Sequence, residues 1–245
     1  MNKFIITLIA ASVSLTAFAD PSTNGIVSPK KPAWESSVAL GATLTSGNSD
    51  LMLVTTKIQT QCKYPNDEFA FSADAAYGKS SGVENNESLH GVGQYNRFFT
   101  ERWFGFVRLD TLHDGIADLD YRITLSPGIG CYLLKETNTT LAVEFGPGLI
   151  SERKGGVSDY YATVRLAERF ERTFDNKSRI WQSIEIIPQV EAFKNYIVNA
   201  EVGVEAPISK QLSLRATLQD NYINQPADGR KQNDAKLIAG IVYRF

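Results

Sequence analysis

From residue 34 onward the chain alternates apolar and polar side chains, segment after segment, between short polar breaks. Successive side chains of a β-strand point to opposite faces, so a period of two marks strands with one apolar and one wet side. The last segment shows the pattern. Ala235, Leu237, Ala239, Ile241, Tyr243 and Phe245 share one parity; Asp234, Lys236, Gly240 and Arg244 share the other, with Ile238 and Val242 as exceptions. The first segment matches it: Trp34, Val38, Leu40, Ala42 and Leu44 alternate with Glu35, Ser37, Ala39, Gly41, Thr43 and Thr45. Tyr121, Ile123, Leu125, Ile129, Cys131 and Leu133 alternate in the same way with Arg122, Thr124, Ser126, Gly128 and Gly130. Further segments at 51–62, 68–79, 87–98, 102–113, 120–133, 139–150, 159–172, 178–191, 194–206 and 211–222 bring the expected total to about twelve strands.

The breaks come in two kinds. Tight turns are expected at Tyr64-Pro65-Asn66-Asp67, Lys135-Glu136-Thr137-Asn138, Phe174-Asp175-Asn176-Lys177 and Pro207-Ile208-Ser209-Lys210. Looser loops, rich in Gly, Asp, Asn and Ser, are expected at 80–86, 113–119, 151–158 and 223–233. Thr45-Ser46-Gly47-Asn48 reads as a hairpin turn, because Gly and Asn tolerate positive φ. Short turns on one rim and longer loops on the other predict a closed, antiparallel, up-and-down transmembrane β-barrel with both ends on the short-turn side. Aromatic residues fall where rims should be. Phe98, Phe99, Trp103, Phe174, Trp181, Tyr243 and Phe245 sit near the expected short-turn rim, and Tyr121, Tyr160, Phe193, Tyr196 and Tyr222 near the other.

A soluble sandwich or barrel would also alternate. Its dry interior would have to take Lys57, Asp74, Arg108, Asp110, Arg122, Glu144, Arg165, Arg169, Glu185, Glu201 and Arg215, all on the inward parity. Burying so many charges costs several kcal/mol each unless nearly all are paired. A watered or networked lumen, with the apolar parity facing lipid, removes the conflict.

Before residue 34 the chain reads differently. Asn2 and Lys3 precede an apolar run, Phe4 to Phe18, and Ala17-Phe18-Ala19 places small residues where a signal peptidase cuts. Residues 1–19 are therefore expected to be a cleaved signal peptide, 20–33 a flexible leader rich in Pro and Lys, and 34–245 the barrel. The formal net charge of −2 gives no sign of a nucleic-acid partner. No later stretch is apolar enough for a spanning helix. Cys62 and Cys131 lie four expected strands apart, both on the outward parity, and read as free apolar residues.

Candidate chemistry is sparse. Ser88 and His90 share a face, but no third member of a triad is evident. The run from His113 to Asp120 holds Asp114, Asp118 and Asp120, which could offer oxygen ligands to a hard cation, yet it lacks the spacing of a known calcium loop and reads as a solvated loop. Gly128, Gly130, Gly146 and Gly148 lie inside strand patterns with no following helix, so they are not a phosphate cradle; they leave room for Arg and aromatic side chains in the lumen. The inward charges are the leading functional candidates. They either pair into a network that closes the barrel or separate into positive and negative walls suited to passing small polar solutes.

Several of these segments carry a family resemblance. The run WESSVALGATLTSGNSD from Trp34 to Asp50, Arg97-Phe98-Phe99, Arg102-Trp103-Phe104, Tyr121-Arg122-Ile123, Gly128-Ile129-Gly130-Cys131-Tyr132, Glu144-Phe145-Gly146 and the terminal Tyr243-Arg244-Phe245 resemble the salt-induced outer-membrane proteins that carry domain of unknown function 481. The resemblance implies an outer-membrane location, a barrel and an envelope or salt-stress role; it transfers no catalytic residue and no cofactor. It also implies assembly by the barrel assembly machinery, with Tyr243 and Phe245 in the terminal signal. The expected function is a non-enzymatic, narrow channel for ions or small solutes in contact with outer-membrane lipid. The alternatives are a closed structural or surface-interaction barrel and, further off, a barrel enzyme acting on lipid.

Overall fold

The computed structural model describes residues 34–45, 51–80 and 82–245. The expected signal peptide, leader and Ser46-Gly47-Asn48 turn lie outside the described residues. Twelve strands follow in chain order: β1 (Trp34–Thr45), β2 (Leu51–Lys63), β3 (Asp67–Ser80), β4 (Val83–Phe98), β5 (Trp103–Asp114), β6 (Leu119–Lys135), β7 (Thr139–Lys154), β8 (Val157–Thr173), β9 (Arg179–Pro188), β10 (Tyr196–Pro207), β11 (Leu212–Ile223) and β12 (Asn233–Arg244). Each pairs antiparallel with its sequence neighbours, and β1 pairs with β12 to close the barrel. Closure of the ring is the condition for a sheet to stand in hydrocarbon.

The two parities separate as the alternation requires. Leu40 (61% exposed), Ile58, Leu109, Ile129, Phe145, Leu166, Val202 and Leu237 point outward and stay exposed, whereas Arg122, Glu152, Arg165 and Glu205 on the inward parity are buried. A protein whose large apolar residues stand on the outside and whose charges lie inside is inverted relative to a soluble one, and hydrocarbon is the solvent that favours it. Cys62 and Cys131 are both free, on strands β2 and β6.

Three expectations need correction. The first concerns the loops: β3 and β4 run closer to one another than expected, leaving residues 81–82 between them, and β7 and β8 leave only Gly155 and Gly156. Those two glycines have φ of 57° and 73°, the left-handed pair that a two-residue hairpin turn needs. The polar residues expected to form loops continue the strands instead, because beyond the membrane both faces of a strand meet water. The longer connections at this rim are 189–195 and 224–232. The second and third corrections are Phe98 and Trp181, which do not join the rim girdle. Phe98 packs on Phe104 (centroids 5.3 Å apart) and Tyr132, and Trp181 lies between Arg179 and Arg215, all on the inward parity.

Glycine makes this inward aromatic packing possible. A Cβ on Gly130 would collide with the Phe104 ring, one on Gly128 with Phe106, and one on Gly203 with the Trp181 indole. Gly203→Val is expected to lower stability in detergent by about 1–3 kcal/mol through overpacking. Combined with Trp181→Ala it should lose clearly less than the sum of the two single changes, as read in a double-mutant cycle from urea unfolding. The closed hydrogen-bonded wall also predicts heat-modifiable migration in SDS gels: boiled and unboiled protein run at the same position only if the barrel is absent.

Candidate functional site: the lumen

The inward charges gather in three tiers along the barrel axis. The rim that carries the barrel's two ends is called here the terminal rim, and the tier nearest it centres on Glu205 of β10. This carboxylate is 4% exposed and accepts from Arg215 (2.8 Å), from Arg179 (3.3 Å) and from Arg244. Three neighbouring strands, β9, β11 and β12, thus converge on one side chain. Trp181 donates its indole N–H to Glu201 (2.6 Å), which also accepts from Gln219 (2.8 Å). The two guanidiniums over the Trp181 ring, at 5.2 and 5.4 Å, add cation–π attraction.

The middle tier centres on Arg165 of β8, which reaches Glu144 on β7 (2.7 Å) and Glu185 on β9. Its guanidinium also lies over the Phe106 ring at 5.4 Å. Glu144 accepts a further bond from Gln94 of β4 (2.9 Å), and Glu185 one from Asn199 (2.9 Å). Gln94 and Glu144 stand three strands apart, so their bond crosses the lumen. Arg108 pairs with Asp110 (3.1 Å), and His90 lies between Asp110 (3.1 Å) and Asp74 (3.4 Å). In the tier at the opposite rim Arg122 donates to Glu152 (2.7 Å), joined by Lys154 (3.3 Å).

The sequence candidates therefore fall on the interior side of the wall. Asp74, Arg108, Asp110, Arg122, Glu144, Arg165, Glu185, Glu201 and Arg215 all take part in these contacts. Lys57 sits opposite Asp74 in the β2–β3 ladder. Arg169 lies at the margin, 3.6 Å from Glu171 and largely exposed. Of the two arrangements open from the sequence, this is the paired network rather than two segregated walls. Sequence reasoning did not single out Glu205, Arg179, Glu152 or Arg244, although each lies on the inward parity. It also missed Phe104 and Phe106, whose signal was the glycine opposite each on β6.

The lumen is filled unevenly. Bulky inward residues (Phe104, Phe106, Tyr132, Arg165, Trp181) stand on β5 to β9. The wall of β1 to β3 presents small residues such as Ser37, Ala39, Gly41, Ser72 and Ala76 beside the longer Lys57, Gln59 and Asp74. Toward the rim opposite the ends, Ile150, Tyr161, Ile187 and Ile197 form a buried apolar cluster inside the barrel, with Ile223 against it. The 224–232 connection leans over this mouth. Lys154 donates to the Gln225 carbonyl (2.8 Å), and Ala227, 7% exposed, packs beside Gly155. β11 and β7 are four strands apart in a ring of twelve, so this connection crosses much of the opening.

The remaining candidates form no such site. Both His90 ring nitrogens face carboxylates, which leaves neither placed to take a proton from Ser88. Asp114 accepts from the backbone N–H groups of Ile116 and Ala117, and Asp120 pairs with Arg153 (3.0 Å). Asp118 is exposed, in a left-handed turn position. Among the described residues no three His, Cys, Asp or Glu side chains come together as a metal site. Tyr243 and Phe245 stack, 6.1 Å apart, on the outward parity at the terminal rim.

Comparison with solved structures places this architecture among outer-membrane porins. The NanC porin matches with a TM-score of 0.52 at 6% identity, covering 84% of this chain and 98% of that one. The KdgM porin in complex with disordered oligogalacturonate matches with a TM-score of 0.50 at 12% identity, covering 85% of this chain and 99% of that one. At these identities the likeness is one of fold. No curated protein matches the sequence. With its closed twelve-stranded wall, apolar exterior and porin-like fold, the protein is a bacterial outer-membrane barrel. The family model for proteins of unknown function DUF481 matches residues 38–245, and the chain belongs to that family.

Proposed function

We propose that the barrel is a narrow, non-enzymatic channel for ions and small polar solutes, with the terminal rim in the periplasm and the 224–232 connection at the cell surface. The observation that carries this reading is the uneven filling of the lumen. Aromatic bulk and the Arg165 and Glu205 clusters stand on β5 to β12, while the β1–β3 wall, Lys57, Gln59 and Asp74 apart, bears mainly small residues, and the passage is assigned to that side. Pairing matters for the solute class. KdgM is seen with oligogalacturonate, a polyanion. Here Arg122 and Arg165 pair with carboxylates of their own, and Arg179 and Arg215 share Glu205, with Glu171 also beside Arg179. A lumen of compensated charge suits small ions of either sign better than a long anionic chain. A role under salt stress fits such a channel, as does insertion by the barrel assembly machinery through the Tyr243–Phe245 end.

The Lys154–Gln225 latch favours a second reading, a barrel closed at rest with a structural role. Planar-bilayer recording separates the two. The channel reading expects small discrete conductance steps; silence at all voltages and salt concentrations favours the closed barrel. Removing residues 225–231 is expected to raise conductance several-fold, and an unchanged conductance would exclude that connection as the constriction. Glu205→Gln leaves Arg179, Arg215 and Arg244 without their shared carboxylate. It is expected to move selectivity toward anions, read as a reversal potential in a salt gradient, and to cost on the order of 2–3 kcal/mol of stability.

A further inference from the structure

The lipid-facing side of β2 to β5 is not level. Two outward rows cross these strands side by side: Ile58, Ala73, Gly91 and Thr111 in one, Thr60, Phe71, Gly93 and Leu109 in the next. The rows are low at Ala73, Gly91 and Gly93, while Ile58, Phe71 and Leu109 stand half exposed around them. The result is a trough of about 330 Å³ on the outer face. Its few polar groups are turned to partners in the wall. Thr111 donates its hydroxyl to the Gly91 carbonyl (3.3 Å), and Thr60 shares a hydrogen bond with Ser36 (2.9 Å). What remains is a concave apolar surface, and a recess left empty would forfeit dispersion contacts along its whole lining.

The same strands carry a second depression, of about 520 Å³, nearer the terminal rim; Tyr64, Asp67, Phe69, Tyr95 and Arg97 line it. The outward rows run on from Asp67↔Arg97 through Phe69↔Tyr95 and Phe71↔Gly93 to Ala73↔Gly91, so the two depressions lie end to end. Asp67 and Ala73 are six residues apart, about 20 Å along the strand. The Phe69 and Tyr95 rings stand 4.9 Å apart between them, as aromatic residues do where headgroups meet hydrocarbon. Arg97 engages Asp67 through Nη1 alone, at 2.7 and 2.9 Å, which leaves the Nε and Nη2 donors of a half-exposed guanidinium. Asp67 also accepts from the Tyr95 hydroxyl (2.6 Å). Beside them Lys63 and Glu68 cancel one another, 3.5 Å apart. The rim end of the groove therefore shows both signs of charge and no net charge. A headgroup that itself carries both signs is its complement.

We propose that the outer face of β2 to β5 is a binding site for one zwitterionic phospholipid, of the phosphatidylethanolamine kind. One acyl chain lies in the trough over Ala73 and Gly91, between Ile58 and Leu109. The phosphate meets the Arg97 donors that Asp67 does not use, and the ammonium faces the Asp67 carboxylate. The site lies outside the wall and does not depend on whether the lumen conducts.

The test reconstitutes the full-length barrel in bilayers of equal phosphatidylethanolamine and phosphatidylglycerol, extracts it into mild detergent and counts retained lipid by native mass spectrometry. One phosphatidylethanolamine per barrel, enriched several-fold over phosphatidylglycerol, is the expected result. Ala73→Leu fills the trough from the lipid side, and Arg97→Gln removes the phosphate contact. Each is expected to lower retention several-fold, whereas Ala216→Leu, outward on β11, leaves it unchanged; heat-modifiable migration shows that each variant is folded. Equal retention of the two lipids, or retention that survives either substitution in a folded barrel, overturns the proposal. Phosphatidylethanolamine with a diazirine on one acyl chain gives a second readout on the unaltered protein. Label at Ala73 and Leu109 several-fold above that at Val202, outward on β10, is expected, and equal label at the three overturns the site. A crosslink from a photoreactive residue at position 73 to a second protein chain, in place of lipid, overturns the lipid assignment.

Discussion

Hydrocarbon offers no partner to a peptide group, and the rest of this structure follows from that constraint. A sheet can satisfy every N–H and C=O within itself only by closing, and closing fixes which side chains meet lipid and which meet the interior. The outward row then has to be apolar and the inward row need not be. The charges that would burden a soluble core become usable in the lumen, where neighbours and water share them.

Most of the fold was legible because period-two alternation is a direct trace of closure. All twelve strands were foreseen, most with ends shifted by only a few residues. The loops at 80–86 and 151–158 misled because polar composition was read as absence of structure. Strands that project past the membrane are polar on both faces, and Gly155-Gly156 was the better signal for a tight turn. Phe98 and Trp181 misled for a related reason. Position along a strand places an aromatic at a rim, but parity decides whether it faces lipid or lumen.

The site was legible as a set and not as an arrangement. Parity gave the inward arginines and carboxylates, yet pairing depends on stagger between strands that no single segment encodes. Glu144 meeting both Arg165 and Gln94 requires β4, β7 and β8 to be placed at once. The glycines held more information than their number suggested. Gly128, Gly130 and Gly203 each stand where a neighbouring strand sends a ring into the lumen, so a missing side chain on one strand records a large one on the next.

The meeting of three arginines on Glu205 has a consequence for how the ring is completed. Arg244 is the penultimate residue, and its partner stands two strands back. Were the final strand to slide by one pleat, its guanidinium would be carried roughly 7 Å away, and Glu205 would lose one of its three cations. The ion cluster thereby favours the alignment of β12 in which all four side chains meet.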